Sequence, residues 1–159
     1  DKTGGTIVDF LEANSSIPLF FAPGPRICFI ERTLVDRIFA LHPIVHLNED
    51  ELCGFTGATA LEEGAKALYA LTENMVIVTH GAEGAYYYDG DAFIHVPPVK
   101  AVKVVDTIGA GDSHIGTVMA CLAKGRTPYE AIKTANAVSS LVVGKKGATL
   151  SKDELTITI

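Results

Sequence analysis

The 159-residue sequence has no tryptophan, two methionines and three widely separated cysteines, Cys28, Cys53 and Cys121. Because the cysteines are odd in number, far apart and without C-x-x-C spacing, this pattern argues against a disulfide framework and a zinc site and favours a reducing compartment, the cytoplasm. The sequence also lacks a long apolar run and a basic leader, so we expect neither a membrane span nor a secretory signal.

Positive charge is scarce as well, since 13 Lys and Arg stand against 19 Asp and Glu, for a formal net charge of −6. A nucleic-acid partner recognised by massed basic residues is therefore not expected. A small phosphate ligand is compatible with this charge, because a few backbone amides are enough to hold it. The content of 48% hydrophobic and 20% charged residues indicates a globular chain, and its length predicts one domain or a large piece of one.

Short apolar runs alternate with helical patterns along the chain. The predicted strands are residues 17–22, 44–47, 75–79, 84–88, 92–96 and 102–105. The predicted helices are residues 29–41, about 59–71, 111–124 and about 128–143. Thr59–Glu62 and Thr127–Glu130 are capping-box sequences, and Asp89-Gly90-Asp91 predicts a hairpin turn. This alternation predicts an α/β fold with helices on both faces of a mainly parallel sheet and ligands at the carboxyl ends of strands.

The sharpest feature is the segment Val104–Asp112, V-V-D-T-I-G-A-G-D, where a predicted strand ends and a helix begins. Glycine lets the backbone approach a ligand closely, and the first amides of a helix have no internal acceptor. The amides of Gly109, Ala110 and Gly111 are therefore suited to hold an anion. Asp112 is then suited to remove a proton from a hydroxyl that attacks a phosphoryl group. The alternative is that Asp112 only caps the helix in a glycine-rich turn.

Two other nucleotide-binding patterns are absent, because no G-x-x-x-x-G-K-[ST] occurs and no G-x-G-x-x-G follows the first strand. Instead, D-T-x-G-A-G-D at 106–112 resembles the second signature of the ribokinase-like carbohydrate kinases, also called the phosphofructokinase-B family. This resemblance implies a Rossmann-like three-layer α/β fold and ATP-dependent phosphoryl transfer to a hydroxyl of a sugar or nucleoside. It also implies that Asp112 is the general base and that the 109–111 loop is the anion hole.

Two further elements of this family have counterparts here, in the same order. Asn48 and Glu51 match its N-x-x-E element, which implies that they organise Mg²⁺ and phosphate through water, although this spacing also fits a capping box. Thr79, Gly81 and Gly84 match its T-x-G-x-x-G turn, which implies that they border ATP. An ordinary strand turn uses the same residue types.

The resemblance extends to the last long helix and the loop after it. Asn136 matches an asparagine beside the adenine of ATP, whereas a helical asparagine also commonly bonds to the backbone. Asp106, Ile108 and Gly147 match positions that hold a monovalent cation, K⁺, in some members of the family. The alternative for Asp106 is that it stabilises its own turn.

The resemblance covers nearly the whole chain but corresponds to the carboxyl-terminal half of such kinases. It implies that residues 1–159 are the nucleotide-binding and catalytic portion of one kinase domain, without the acceptor-binding half and its lid. An exposed sheet edge predicts either a homo-oligomer or pairing with an amino-terminal segment. Three alternatives stay open: a nucleotide-binding fragment that transfers nothing, a kinase of a vitamin precursor such as a hydroxymethylpyrimidine, and a regulatory module.

Overall fold

Helices and short strands alternate through most of the chain. The computed structural model describes residues 2–99, 103–151 and 153–154. The α-helices of that part are α1 (Lys2–Ala13), α2 (Arg32–Phe39), α3 (Glu49–Thr56), α4 (Leu61–Thr72), α5 (Ala110–Ala123) and α6 (Pro128–Val142). Its strands are β1 (Phe20–Phe21), β2 (Ile44–Asn48), β3 (Val76–Thr79), β4 (Ala85–Tyr88) and β5 (Phe93–Val96). Two 3-10 turns lie at Gly24–Phe29 and Gly81–Glu83.

The five strands form one sheet in the order β1-β2-β3-β4-β5. The pair β1 and β2 is parallel, with Phe20 opposite Ile44. Short turns join β3 to β4 and β4 to β5, and strands joined in this way run antiparallel, so the sheet is mixed. The predicted Asp89 turn is confirmed, because the Asp89 carboxylate accepts the N–H groups of Asp91 and Ala92, each at 3.0 Å. These backbone hydrogen bonds lower the pKa of Asp89. The predicted α/β class is confirmed.

The chain divides into two compact units, Asp1–Val78 with Tyr86–Ile94, and Thr79–Ala85 with His95–Ile159. The first unit has a core of buried aliphatic and aromatic side chains. These are Val8, Ile27, Val35, Ile38, Phe39, Val45, Leu47, Leu52, Ala65, Leu68, Val76 and Val78. Consecutive residues of β2 and β3 are buried, which is the pattern of central strands that are covered on both faces.

In the second unit, α5 packs against α6. Their buried apolar side chains are Val118, Cys121, Ala131, Ile132, Ala135, Val138 and Val142. Helix α6 begins as the sequence predicts, with Thr127 at the N-cap, Pro128 at the first helical position and a capping box to Glu130. Gly125 follows α5 with a positive φ of 77°, which agrees with the predicted helix stop.

Two helix starts differ from prediction. The capping box at Thr59 is wrong, because α4 begins one residue later, with Ala60 at an N-cap that has no side-chain hydrogen bond. The helix predicted over 29–41 begins only at Arg32, because the chain from Gly24 first forms a 3-10 turn. Pro25, the second residue of that turn, has no backbone N–H that could donate to a preceding carbonyl.

Two other segments also differ. Helix α1 was not predicted, since Gly4 and Gly5 weaken its helical pattern and its buried side chain is Val8. The strand predicted over 102–105 is wrong for residues 103–105, and Val102 lies outside the described residues. The N–H groups of Val105 and Asp106 both donate to the carbonyl of Val143, at 2.7 and 3.3 Å, so the segment bonds to the end of α6 instead of a strand.

Candidate active site

The turn into α5 requires glycine at its N-cap. Gly109 has φ +80°, a left-handed conformation that other residues rarely adopt. A Cβ placed on Gly109 would lie 2.4 Å from the Cβ of Ala148 and 2.9 Å from its Cα. Both the backbone angle and the space therefore exclude a side chain, and the first turn of α5 lies directly against the loop that contains Ala148.

The first turn of α5 has backbone amides without acceptors in the described part of the chain. The predicted anion hole of Gly109, Ala110 and Gly111 needs one correction, because the Ala110 N–H donates to the Thr107 carbonyl at 3.2 Å. Among the described residues, the N–H groups of Gly109, Gly111 and Asp112 have no protein acceptor. These amides, together with the positive end of the helix dipole, can receive an anion.

Asp112 is the third residue of α5, and its side chain is exposed. Within the described ranges its carboxylate takes part in no hydrogen bond or ion pair with another side chain. The helix does not use it as an N-cap, since that position belongs to Gly109. Asp112 therefore does not cap α5 in the structure, and its carboxylate is available as a proton acceptor.

Asn136 of α6, which is predicted to lie beside adenine, is buried and hydrogen-bonded within the protein. Its side chain is 7% exposed, its Nδ2 donates to the carbonyls of Val96 and Pro97 at 3.1 and 3.0 Å, and its Oδ1 lies 3.1 Å from Nε2 of His114. Since Oδ1 can only accept, His114 carries its proton on Nε2. Burial lowers the pKa of His114 to about 4, so the ring is neutral near pH 7. The Asn136 carboxamide thus makes its hydrogen bonds within the protein, which agrees with the alternative that it bonds to the backbone.

A second polar contact joins α6 to the start of α5, and it was not among the predicted site residues. The Ala110 carbonyl accepts the hydroxyls of Ser113 at 2.9 Å and of Ser139 at 3.1 Å. The signal in the sequence is the spacing of Asn136 and Ser139, which places two polar side chains on one side of a helix that is otherwise buried there.

The predicted nucleotide turn closes on itself through backbone bonds. The His80 N–H donates to the Gly84 carbonyl at 2.8 Å, and the Glu83 N–H donates to the His80 carbonyl at 2.9 Å. Gly81 is exposed, and a Cβ added there would meet no atom within 4 Å. Gly84 is buried, and its Cβ would lie 2.5 Å from the carbonyl oxygen of Val96. Open space for a ligand therefore lies beside Gly81. At Gly84 the neighbouring backbone leaves no room for a side chain.

Asn48 and Glu51, in the first unit, form the capping box that begins α3. Asn48 Oδ1 accepts the Glu51 N–H at 2.8 Å, and Glu51 Oε2 accepts the Asn48 N–H at 3.0 Å. The capping alternative is thus correct for these residues, and it leaves Glu51 Oε1 outside the box. Among the described residues no three His, Cys, Asp or Glu side chains are gathered into a metal site.

Asp106 joins the loop before α5 to the loop after α6. Its Oδ1 accepts the Ile108 N–H at 3.0 Å, and its Oδ2 accepts the Gly147 N–H at 3.2 Å. These bonds lower the pKa of the Asp106 carboxyl. The turn-stabilising alternative therefore holds for Asp106, and the cation predicted at Asp106, Ile108 and Gly147 stays a prediction.

An α/β fold in which a glycine-rich loop opens a helix is typical of proteins that bind phosphate groups. The chain belongs to the pfkB family of carbohydrate kinases, whose model matches residues 12–155. It is 38% identical over 148 residues to the protein named uncharacterized sugar kinase YegV of Escherichia coli (strain K12), which covers 91% of this chain and 46% of that protein. Other relatives are named cytidine kinase, fructokinase and ribokinase.

Solved structures of kinases share the fold. The Escherichia coli protein solved as ribokinase II with ATP and Mg²⁺ has a TM-score of 0.77 and 27% identity, over 89% of this chain and 46% of that one. Aminoimidazole riboside kinase from Salmonella enterica, solved with aminoimidazole riboside and an ATP analogue, has a TM-score of 0.66 and 34% identity, over 73% of this chain and 40% of that one. The fold is ribokinase-like, and the chain spans less than half the length of these relatives. No described helix is long and apolar enough to cross a membrane.

Proposed function

We propose that the protein transfers the γ-phosphoryl group of ATP to a hydroxyl of a small sugar or nucleoside. The observation that carries this proposal is the start of α5, where the exposed Asp112 carboxylate stands on the same helical turn as amides, and neither has a partner among the residues that the structure describes. The family and the ligands of its solved members support ATP as donor and a sugar or nucleoside as acceptor.

Asp112 acts as the general base in this proposal. The acceptor hydroxyl oxygen forms a bond to the γ-phosphorus, the bond from that phosphorus to the leaving oxygen of ADP breaks, and the hydroxyl proton passes to the Asp112 carboxylate. Such proton transfer contributes about 10²- to 10⁴-fold in rate. Because the carboxylate has no partner in the described chain, it does not have to break a hydrogen bond first.

The amides of Gly109, Gly111 and Asp112 stabilise the negative charge on the transferring phosphoryl oxygens. Fixed N–H dipoles are effective here because they need no reorganisation when the charge develops. Ala110 contributes through its place in the turn, since its own N–H is bonded to Thr107. We propose that Thr79 and Gly81 border the nucleotide, and that Gly84 and Asn136 shape that border from behind through the segment at Val96.

Magnesium would neutralise charge on the phosphates of ATP. The oxygen atoms available for it are Glu51 Oε1, which lies outside the capping box, and Asn48 Oδ1, which keeps a second lone pair beside the one that accepts the Glu51 N–H. This small set fits an ion that keeps most of its waters and is held largely by the phosphates, as Mg²⁺ is. A carboxylate and carbonyls at Asp106, Ile108 and Gly147 have the chemistry for K⁺, and we propose that activity depends on it.

The chain would supply the nucleotide-binding and catalytic portion, with the acceptor pocket formed elsewhere in the protein. The test therefore uses the natural full-length protein, with ADP release measured against ribose, fructose, cytidine and aminoimidazole riboside. Asp112→Asn should lower kcat at least about 100-fold while the Kd for ATP changes less than about threefold. The matched control is Asp153→Asn, an exposed aspartate of the same unit, which should behave as the unmodified protein.

Two outcomes would overturn parts of this proposal. Full turnover by the Asp112→Asn variant would remove Asp112 from the mechanism. ATP binding without acceptor-dependent ADP release in the unmodified full-length protein would favour the nucleotide-binding protein that transfers nothing.

A further inference from the structure

The hydroxyls of Ser113 and Ser139, which donate to the Ala110 carbonyl, also influence the backbone amide of the next residue, Gly111. The carbonyl of Ala110 and the N–H of Gly111 belong to one peptide unit, which is planar and trans, so the two groups point in opposite directions. The hydroxyls of Ser113 and Ser139 hold the oxygen end of this plane at 2.9 and 3.1 Å. Fixing the oxygen therefore fixes the direction of the Gly111 N–H, which has no acceptor in the described chain.

The two serines also strengthen the Gly111 amide as a donor. A carbonyl that accepts hydrogen bonds withdraws electron density from its peptide nitrogen, and linked hydrogen bonds polarise one another. Ser113 belongs to α5 itself, whereas Ser139 reaches across from α6. Ser139 is thus the residue through which α6 holds the Ala110–Gly111 peptide in its orientation.

A second anchor prevents rotation of α5 about its axis. His114 lies one turn after Ala110, and Nε2 of its ring donates to Asn136 Oδ1 at 3.1 Å. Asn136 in turn is tied to the carbonyls of Val96 and Pro97. Asp112 lies between the two anchored positions, about 200° around the helix from each, at 100° per residue. The anchors therefore face α6 and leave the Asp112 carboxylate exposed.

We infer that Ser139 is a positioning residue of the kinase reaction, which acts by holding and polarising the Ala110–Gly111 peptide so that the Gly111 N–H receives the transferring phosphoryl group. This inference rests on the proposed function. Ser139 itself touches neither ATP nor the acceptor, and its effect passes through one peptide unit.

The test compares two neighbouring serines of α6 in the full-length protein. Ser139→Ala removes the hydroxyl that donates to the Ala110 carbonyl. Ser140→Ala removes a hydroxyl whose one partner among the described residues is the Ala137 carbonyl, at 2.7 Å within α6. We expect Ser139→Ala to lower kcat about fivefold, the effect of one ordinary hydrogen bond, with little change in Tm. Ser139→Thr retains the hydroxyl and should restore kcat, and Ser140→Ala should leave it unchanged.

The readout that a purely structural role would not give is the Gly111 amide in a ¹H–¹⁵N spectrum. Its proton should move upfield in Ser139→Ala and stay in place in Ser140→Ala and Ser139→Thr. Equal kcat and an unmoved Gly111 amide in Ser139→Ala would overturn the inference. Should that variant fail to fold, Ser113→Ala removes the other hydroxyl and is held to the same two readouts.

The two proposals fail in different ways. If the unmodified protein phosphorylates no acceptor, the proposed function fails, while the Gly111 signal still decides whether Ser139 sets that peptide. If the unmodified protein is active and Ser139→Ala matches Ser140→Ala in both readouts, only the role of Ser139 fails.

Discussion

Helices α5 and α6 lie side by side in the second unit and begin in opposite ways. At the start of α6, Thr127 Oγ1 accepts the Glu130 N–H at 3.3 Å, and Glu130 Oε2 accepts the Thr127 N–H at 3.0 Å. Pro128 removes one further donor. The start of α5 has no side-chain cap, and its N-cap is Gly109. The start of α6 is satisfied by its own residues, whereas the start of α5 keeps amides that have no acceptor among the described residues.

The missing cap alone does not make α5 special. Helices α2 and α4 also begin without a side-chain cap, at Glu31 and Ala60. The first turn of α5 is also held by other parts of the second unit, through Ala148 against Gly109 and through Ser139 on the Ala110 carbonyl. Open amides on a fixed turn form a binding site, whereas open amides on a loose turn are only solvated.

The largest effect should come from filling the space at Gly109. Gly109→Ala and Gly125→Ala are matched, because both glycines have φ near +80° but only Gly109 has a neighbour in the way of a Cβ. Each change costs about 1–2 kcal/mol for the left-handed backbone. Gly109→Ala should cost about 1–3 kcal/mol more for the clash with Ala148, and lower kcat about 100-fold by displacing the turn.

Denaturant unfolding and kcat of the two variants measure this difference. Ala148→Gly in the Gly109→Ala background should recover part of the stability, since it removes the nearest atom. Equal losses in Gly109→Ala and Gly125→Ala would mean that Ala148 does not hold the start of α5.

A pH effect should come from the buried anchor of α5. Burial lowers the pKa of His114 from 6.5 to about 4, so the unfolded chain binds a proton at a higher pH than the folded one. The contribution of neutral His114 to the free energy of unfolding is therefore complete above pH 6.5 and is lost as the pH falls toward 4. The loss is on the order of 3 kcal/mol, since each unit of pKa difference corresponds to about 1.36 kcal/mol.

His114→Gln keeps an N–H for Asn136 but does not titrate, so it is the matched variant. The free energy of unfolding, measured between pH 4 and 7, should fall more steeply in the unmodified protein than in His114→Gln. Parallel curves would show that His114 is not buried and neutral in the folded state. The cap of α6 titrates at lower pH, because hydrogen bonds from Thr127 lower the pKa of Glu130 from 4.5, so its contribution to stability is lost only below that pH.

The sequence predicted the junction at 106–112 because its pattern is local: a loop, two glycines and one carboxylate within seven residues. The capping box at Thr127 was predicted for the same reason, and the one at Asn48 was the alternative to its role with Mg²⁺; both are present. Thr59 shows the limit of such a pattern, because the helix there begins at Leu61 and leaves the threonine unused.

What the sequence did not predict depends on contacts between distant residues. The Gly84 space is filled by the backbone near Val96, and Ser139 lies 29 residues after its partner Ala110. Asn136 has a residue type that fits a ligand contact, and only the packing of α5 against α6 assigns its hydrogen bonds to the protein. Spacing along the chain contains no information on such pairs.

The smallest effect should come from opening the start of α6. Thr127→Ala removes the oxygen that accepts the Glu130 N–H and should lower the free energy of unfolding by about 1 kcal/mol, the usual loss for an N-cap. Because no ligand contact is proposed for this end of α6, kcat should stay within about twofold of the unmodified protein. Thr127→Ser retains the cap and is the control. A large loss of kcat in Thr127→Ala at full stability would show that the two helix starts do not divide into a structural end and a functional one.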